Sequence, residues 1–193
     1  MGGNRLIALV VAVASAAGLS YAAEPASPVD LMERRAVQRI NGVRGEHMRA
    51  PLRTDADLAR LAREYSCALL QRGALSHTGP DGQSVADRVL AAGKSFLAVG
   101  ENLARSTGPG DPLGAAIDAW MRSAGHRENI LRPDFTDTGV GVCRDGTTYY
   151  FTQVFLRRDR ARRPRRAFPP TRMPWRTSDG KGSASAWASI RSG

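Results

Sequence analysis

TGVGVCRDGTTYYFTQVFL, residues Thr138 to Leu156, decides the fold class. Thr138 to Cys143 and Thr147 to Leu156 are runs rich in β-branched and aromatic residues, the composition of strands. Asp145-Gly146 between them is a strong hairpin signal. The folded part of the chain therefore ends in an antiparallel pair.

Upstream the period changes to that of helices. Ser27-Pro28-Val29-Asp30 starts one: Ser27 caps, Pro28 suits the first turn, and Asp30 complements the helix dipole. Val29, Met32, Ala36, Val37, Ile40 and Val43 then recur at three and four. A second helix is expected from Thr54, with Asp57 completing a short capping box and Gly73 ending it. Leu58, Leu61, Ala62, Tyr65, Ala68 and Leu69 form its apolar stripe. Ser84 to Ala92 reads as a third helix and Leu113 to Ser123 as a fourth. Phe96 to Ala104 reads as a strand, followed by a Gly/Pro loop from Ser106 to Pro112. Helices followed by short closing strands give an α+β fold in layers rather than a parallel βαβ array.

The ends differ from this middle. Arg5, the apolar run Leu6 to Ala17 and the small residues around Ala22 form an export signal over residues 1–23. The run falls short of the roughly 20 residues of a membrane span. An uncleaved anchor is the alternative, and either leaves the remainder outside the cytoplasm. The formal net charge is +10. Residues 24–156 contain as many cations as anions. Residues 157–193 hold eleven Lys and Arg against two Asp and Glu, a net charge of +9. The basicity belongs to a tail, and a neutral exported domain is no nucleic-acid binder. The tail, 157–193, has too few apolar residues to offset its ordering entropy and is expected to be disordered. Its Phe168, Trp175 and Trp187, interleaved with Arg, suit an anionic envelope or membrane surface. A passive solubilising extension is the plainer reading. Residues 25–156 are left as one domain, expected to be a monomer.

Cys67 and Cys143 are the two cysteines. Export and an even count suit a disulfide, with two separate thiols as the alternative. Helical spacing puts Cys67 on the opposite side of its helix from Leu58, Leu61 and Tyr65, so a bond there would staple a second face.

The candidate chemistry rests on few residues. His77 lies in the turn-rich loop Ser76-His77-Thr78-Gly79-Pro80-Asp81-Gly82. Glu101 lies in Gly100-Glu101-Asn102-Leu103-Ala104. His126 lies in Gly125-His126-Arg127-Glu128-Asn129-Ile130-Leu131. Two imidazoles and a carboxylate that converge can hold a divalent metal such as zinc or work as an acid–base pair around a water. His47, at the end of the first helix, reads as a surface residue. Ser123 beside His126 is a candidate nucleophile, without the G-x-S-x-G elbow that would hold it in a strained turn. The plain reading is that His126 fixes a turn into a short helix at Asn129–Leu131, and that Glu101 and Asn102 satisfy buried amides.

GENLA, GHRENIL and YYFTQVF, with Asn41-Gly42-Val43-Arg44, the Ser76-His77 loop and Trp120-Met121-Arg122-Ser123, occur in an order that resembles bacterial domains of the CAP superfamily, the cysteine-rich secretory, antigen-five and pathogenesis-related group. The resemblance covers most of residues 29–156. It implies a three-layer α-β-α sandwich with a surface cleft of two histidines and two acids, which binds zinc in some members. His77, Glu101 and His126 match three of the four. Ser123 stands where the second acid is expected, which puts constitutive zinc in doubt, and Glu128 is a distant substitute. Three functions stay open: a secreted module binding a small ligand, lipid or metal; an envelope-acting hydrolase or peptidase; and an envelope interaction protein held by its tail. Secreted or periplasmic location suits all three.

Overall fold

A computed structural model describes residues 26–159. The export segment expected at 1–23 lies outside the described residues, as does the basic tail apart from its first three residues. Helix α1, Pro28–Glu46, opens on a capping box in which Ser27 and Asp30 satisfy each other's backbone amides. Strand β1, Arg53–Thr54, precedes helix α2, Ala56–Arg72. Asp55, not Thr54, caps α2: its carboxylate accepts the Asp57 and Leu58 amides at 3.0 and 3.2 Å. Thr54 is drawn into the sheet instead. Gly73, with φ 68°, ends α2 as its sequence indicates.

Helix α3, Val85–Ala91, is capped by Ser84. Strand β2 runs Phe96–Thr107. It passes the expected end at Ala104 because Ser106 and Thr107 pair with Tyr149 and Thr148. Helix α4, Pro112–Arg122, leads at Ser123 into α5, Ala124–Leu131, a full helix where only its last three residues had been expected. Among its residues only Ile130 is buried, so it shows no apolar stripe. Strands β3, Asp137–Asp145, and β4, Thr148–Arg158, form the hairpin read from the sequence, with Gly146 at φ 53° in its turn. Arg157 and Arg158, expected to begin the tail, belong to β4. Arg158 is held there by Asp55 at 2.7 Å and Asp137 at 2.9 Å.

The sheet order is β1-β3-β4-β2, antiparallel except for the parallel β1–β3 pair. On one face α1, α4 and α5 bring Ile40, Leu113, Trp120 and Ile130 against Val140, Phe151 and Phe155. On the other, α2 and α3 bring Leu58, Leu61 and Val89 against Val154 and Leu156, with Tyr65 and Leu69 against Leu103 and Tyr150. This is an α-β-α sandwich. Gly139 and Gly141 let α2 lie directly on β3, since a Cβ at either would meet the α2 backbone. Cys67 and Cys143 are disulfide-bonded, tying α2 to β3 on the flank that the helical spacing indicated.

Two residues of the NGVR segment tie α1 to distant elements. The Asn41 amide brackets Leu52, donating to its carbonyl at 3.0 Å and accepting its N–H at 2.9 Å. Arg44 is fully buried, and its hydrogen bonds go to the carbonyls of Ala50, Ile130 and Arg132. It thereby caps the end of α5, whose last carbonyls lack helical partners.

Candidate functional site at the β2 edge

Glycine, acid and amide in GENLA each have a separate task along β2. Gly100 admits α5 and Phe135: a Cβ there would stand 3.0 Å from the Asn129 side-chain oxygen and from the Phe135 ring. Alternation then sends Glu101 to the α2–α3 face and Asn102 to the α5 face. Asn102 donates to the His126 carbonyl at 3.0 Å, and Asn129 donates to the Asn102 side chain at 3.0 Å and to the Glu101 carbonyl at 3.3 Å. Trp120 Nε1 donates to the Leu103 carbonyl at 2.9 Å. Side chains of α4 and α5 thus cover this edge of the sheet and fix where Glu101 stands.

Glu101 is the centre of the site, with a side chain only 2% exposed. His77 Nδ1 donates to one carboxylate oxygen at 2.8 Å, and Arg88 NH2 donates to the other at 2.5 Å. Burial pushes the Glu101 carboxyl above its ordinary value, while the Arg88 charge and the His77 hydrogen bond pull it back down. The Arg88 guanidinium lies 3.5 Å from the centre of the Tyr65 ring and also donates to the Gln83 carbonyl at 3.0 Å. Tyr65 in turn donates its hydroxyl to the Ser76 carbonyl at 2.6 Å. One stacked pair therefore holds both ends of the 76–83 loop and neutralises the acid beneath it. His77, 60% exposed, presents Nε2 to solvent because Nδ1 is spent on Glu101.

His126 lies at the start of α5, close enough to His77 to feel its charge. Burial and then that charge hold its pKa below the ordinary value, favouring the neutral ring. Ser123 is the residue between α4 and α5, and its hydroxyl makes no hydrogen bond to His77, Glu101 or His126. Glu128 is exposed and apart from this network. The His47 ring hydrogen-bonds the Val43 carbonyl, 2.9 Å away at the end of α1. Among the described residues no three His, Cys, Asp or Glu side chains gather as metal ligands. With both Glu101 oxygens committed, one to a guanidinium, the donor set does not fit zinc. Arg88 is the member that sequence reasoning missed: an arginine in a short amphipathic helix reads as solvated.

The model for the family described as the cysteine-rich secretory protein family, CAP, matches residues 37–155. The chain belongs to the CAP family. YkwD of Bacillus subtilis (strain 168) is 33% identical over 130 residues, covering 67% of this chain and 49% of YkwD. The membrane protein YlbC of the same strain is 32% identical over 126 residues, covering 65% of this chain and 34% of YlbC. The chain thus spans about half or less of these curated relatives. Among solved structures, an extracellular SCP-domain protein of Bacillus anthracis str. Ames superposes with a TM-score of 0.59 at 27% identity, over 69% of this chain and 45% of that one. An outer surface protein of Borrelia burgdorferi shares the fold, with a TM-score of 0.60 at 23% identity over 66% and 93% of the two chains. The order of motifs seen in the sequence is that of a CAP domain, and Arg88 completes what GENLA and the histidine loop begin.

Proposed function

We propose that this CAP domain is an extracytoplasmic module that binds a polar ligand at His77. The observation that carries this reading is the double commitment of Glu101, to His77 and to Arg88. It commits Nδ1 to the carboxylate and leaves Nε2 outward, so the matching ligand brings polar groups that hydrogen-bond that nitrogen, as a sugar hydroxyl does. The open, polar surroundings favour such a ligand over a lipid chain or a metal ion. The disulfide, the export signal read in the sequence, and likeness to an extracellular protein of Bacillus anthracis all support a location outside the cytoplasm.

Saturation-transfer NMR with sucrose and N-acetylglucosamine as probes tests this. Transfer from the wild-type protein is expected to vanish in His77→Phe, and equal transfer from both would overturn the reading. A carboxylate-oriented imidazole is also the base half of a hydrolytic triad, which favours hydrolysis as the second reading. With Ser123 disengaged, water would be the nucleophile. Turnover of p-nitrophenyl acetate that is lost in His77→Phe, without any sugar binding, would select that reading instead.

A further inference from the structure

The opposite edge of the sheet holds a slot. Residues of a strand turn their N–H and C=O to alternate edges, every second residue facing the same way. Just before β3 the Thr136 carbonyl accepts the Arg53 amide, and on β3 the Thr138 carbonyl accepts the Asp55 amide, so from Thr138 onward the even-numbered residues face the β1 side. Val142 confirms this, donating its N–H to Glu33 Oε1 at 3.0 Å. Between them Val140 faces the same edge, and no described group on that side bonds its N–H or C=O. Val140 is buried, and a buried backbone rung without a partner is costly. The chain of β1 has already turned away into α2 at this point.

A groove of about 660 Å³ lies over this rung. Its walls are α1 on one face of the sheet and α2 on the other, with Val37, Ala56 and Ala59 as apolar lining. Arg63 crosses it, pairing with Glu33 at 2.5 Å and Asp30 at 2.6 Å. The open stretch from Thr138 to Val142 spans four residue steps, about 13 Å at the rise of a strand, room for a segment of two or three residues. Of the charges in the lining, Asp30 and Glu33 are already matched by Arg63. An incoming segment therefore meets Arg34 and Arg60, exposed on opposite walls. Arg60 is otherwise paired with Glu64 at 3.1 Å and feels the charge of the exposed Asp57, interactions of little energy at the surface. Glu33 already shows the chemistry one rung along: a carboxylate that takes a β3 amide and an arginine fork together.

We propose that this slot binds an extended acidic peptide, which adds to β3 at Val140 as a short strand and places its carboxylates against Arg34 and Arg60. The site is separate from His77 and does not depend on it. The test is a titration of the ¹⁵N-labelled full chain with acetyl-Glu-Val-Glu-amide, following the Val140 amide, and with acetyl-Lys-Val-Lys-amide as the opposite charge. The acidic probe is expected to shift the Val140 amide in a saturable way and to slow its hydrogen exchange. Arg34→Glu with Arg60→Glu, both exposed positions, is expected to weaken binding by about tenfold or more. His77→Phe is expected to bind as wild type does. An unmoved Val140 amide overturns the proposal, as does equal binding of the lysine probe or undiminished binding by the double variant. A Val140 amide already protected without any peptide overturns it too, because the slot is then filled by the chain itself.

Discussion

The two edges of this sheet are closed by different means. At the β2 edge side chains take the outward carbonyls: Asn129 reaches Glu101 and Trp120 reaches Leu103. At the β3 edge a two-residue strand, the Glu33 carboxylate and a disulfide do the work, and the Val140 rung is left open. An exposed edge invites pairing with another chain, and proteins cover such edges by short strands, charges or neighbouring elements. The edge where α4 and α5 take the Glu101 and Leu103 carbonyls carries a fixed polar site, because Glu101 has no freedom there. The incompletely covered edge offers backbone instead.

The largest expected effect lies in the covalent staple. Replacing Cys67 and Cys143 together by serine frees a 76-residue loop, for which chain entropy gives a loss of about 4 kcal/mol. Chemical denaturation of the oxidised wild type against the double variant measures it. A loss below about 1 kcal/mol would show that α2 is held on β3 by close packing over Gly139 and Gly141 rather than by the bond.

At the other edge the corresponding support is ionic. Arg88→Met leaves Glu101 buried with His77 as its only remaining polar partner, and also removes the stack on Tyr65. Breaking a buried pair from one side costs about 3 kcal/mol or more, read by urea unfolding. Arg88→Lys, which keeps the charge but loses the fork, is expected to fall between. Wild-type stability in Arg88→Met would mean that the site does not depend on its cation, and that the two edges differ less than their geometry implies.

The sequence disclosed the parts of this arrangement that repeat or punctuate. Four helices, the closing hairpin and its Asp145-Gly146 turn follow from period and turn residues. His77 and Glu101 were legible because GENLA and the histidine loop are specific. Other features had no local signal. Arg88 acts at the site through Glu101 and Tyr65, respectively 13 and 23 residues away in the chain. Helix α5 buries Ile130 alone and carries Gly125, so nothing periodic announces it. Strand β1 is two residues long, set by its pairing with Asp137 and Thr138 rather than by propensity. The open rung at Val140 is a property of what fails to pair, which no run of residues records.

The finest difference between the edges is in pH dependence, and its signs are opposite. Asp137, near the β1 end of β3, has its pKa lowered below the ordinary 3.8: burial opposes this, but hydrogen bonds from Arg158, Thr136 and Arg53 outweigh it. The unfolded chain then binds a proton at a higher pH than the folded one does. Asp137 therefore stabilises the fold above about pH 3.8, and this stability is lost as pH falls through the folded value. Glu101, beside β2's covered edge, has its pKa raised above the ordinary 4.5 by burial, in spite of Arg88. Below pH 4.5 both states hold the proton. As pH rises through the folded value, the unfolded chain has already released it, and stability falls. Denaturant unfolding from pH 3 to 7 on wild type, Asp137→Asn and Glu101→Gln separates the two. Asp137→Asn is expected to flatten the acid limb, whereas Glu101→Gln leaves Arg88 without its carboxylate partner and flattens the decline above pH 4.5. His126, whose pKa is lowered from 6.5, adds a rise in stability with pH up to about 6.5, opposite in sign to the Glu101 effect, so the same series on His126→Gln is needed to isolate Glu101. If Glu101→Gln leaves the slope above pH 4.5 unchanged against that background, Arg88 and His77 together offset the burial of the acid, and of the two carboxylates Asp137 alone carries a pH dependence.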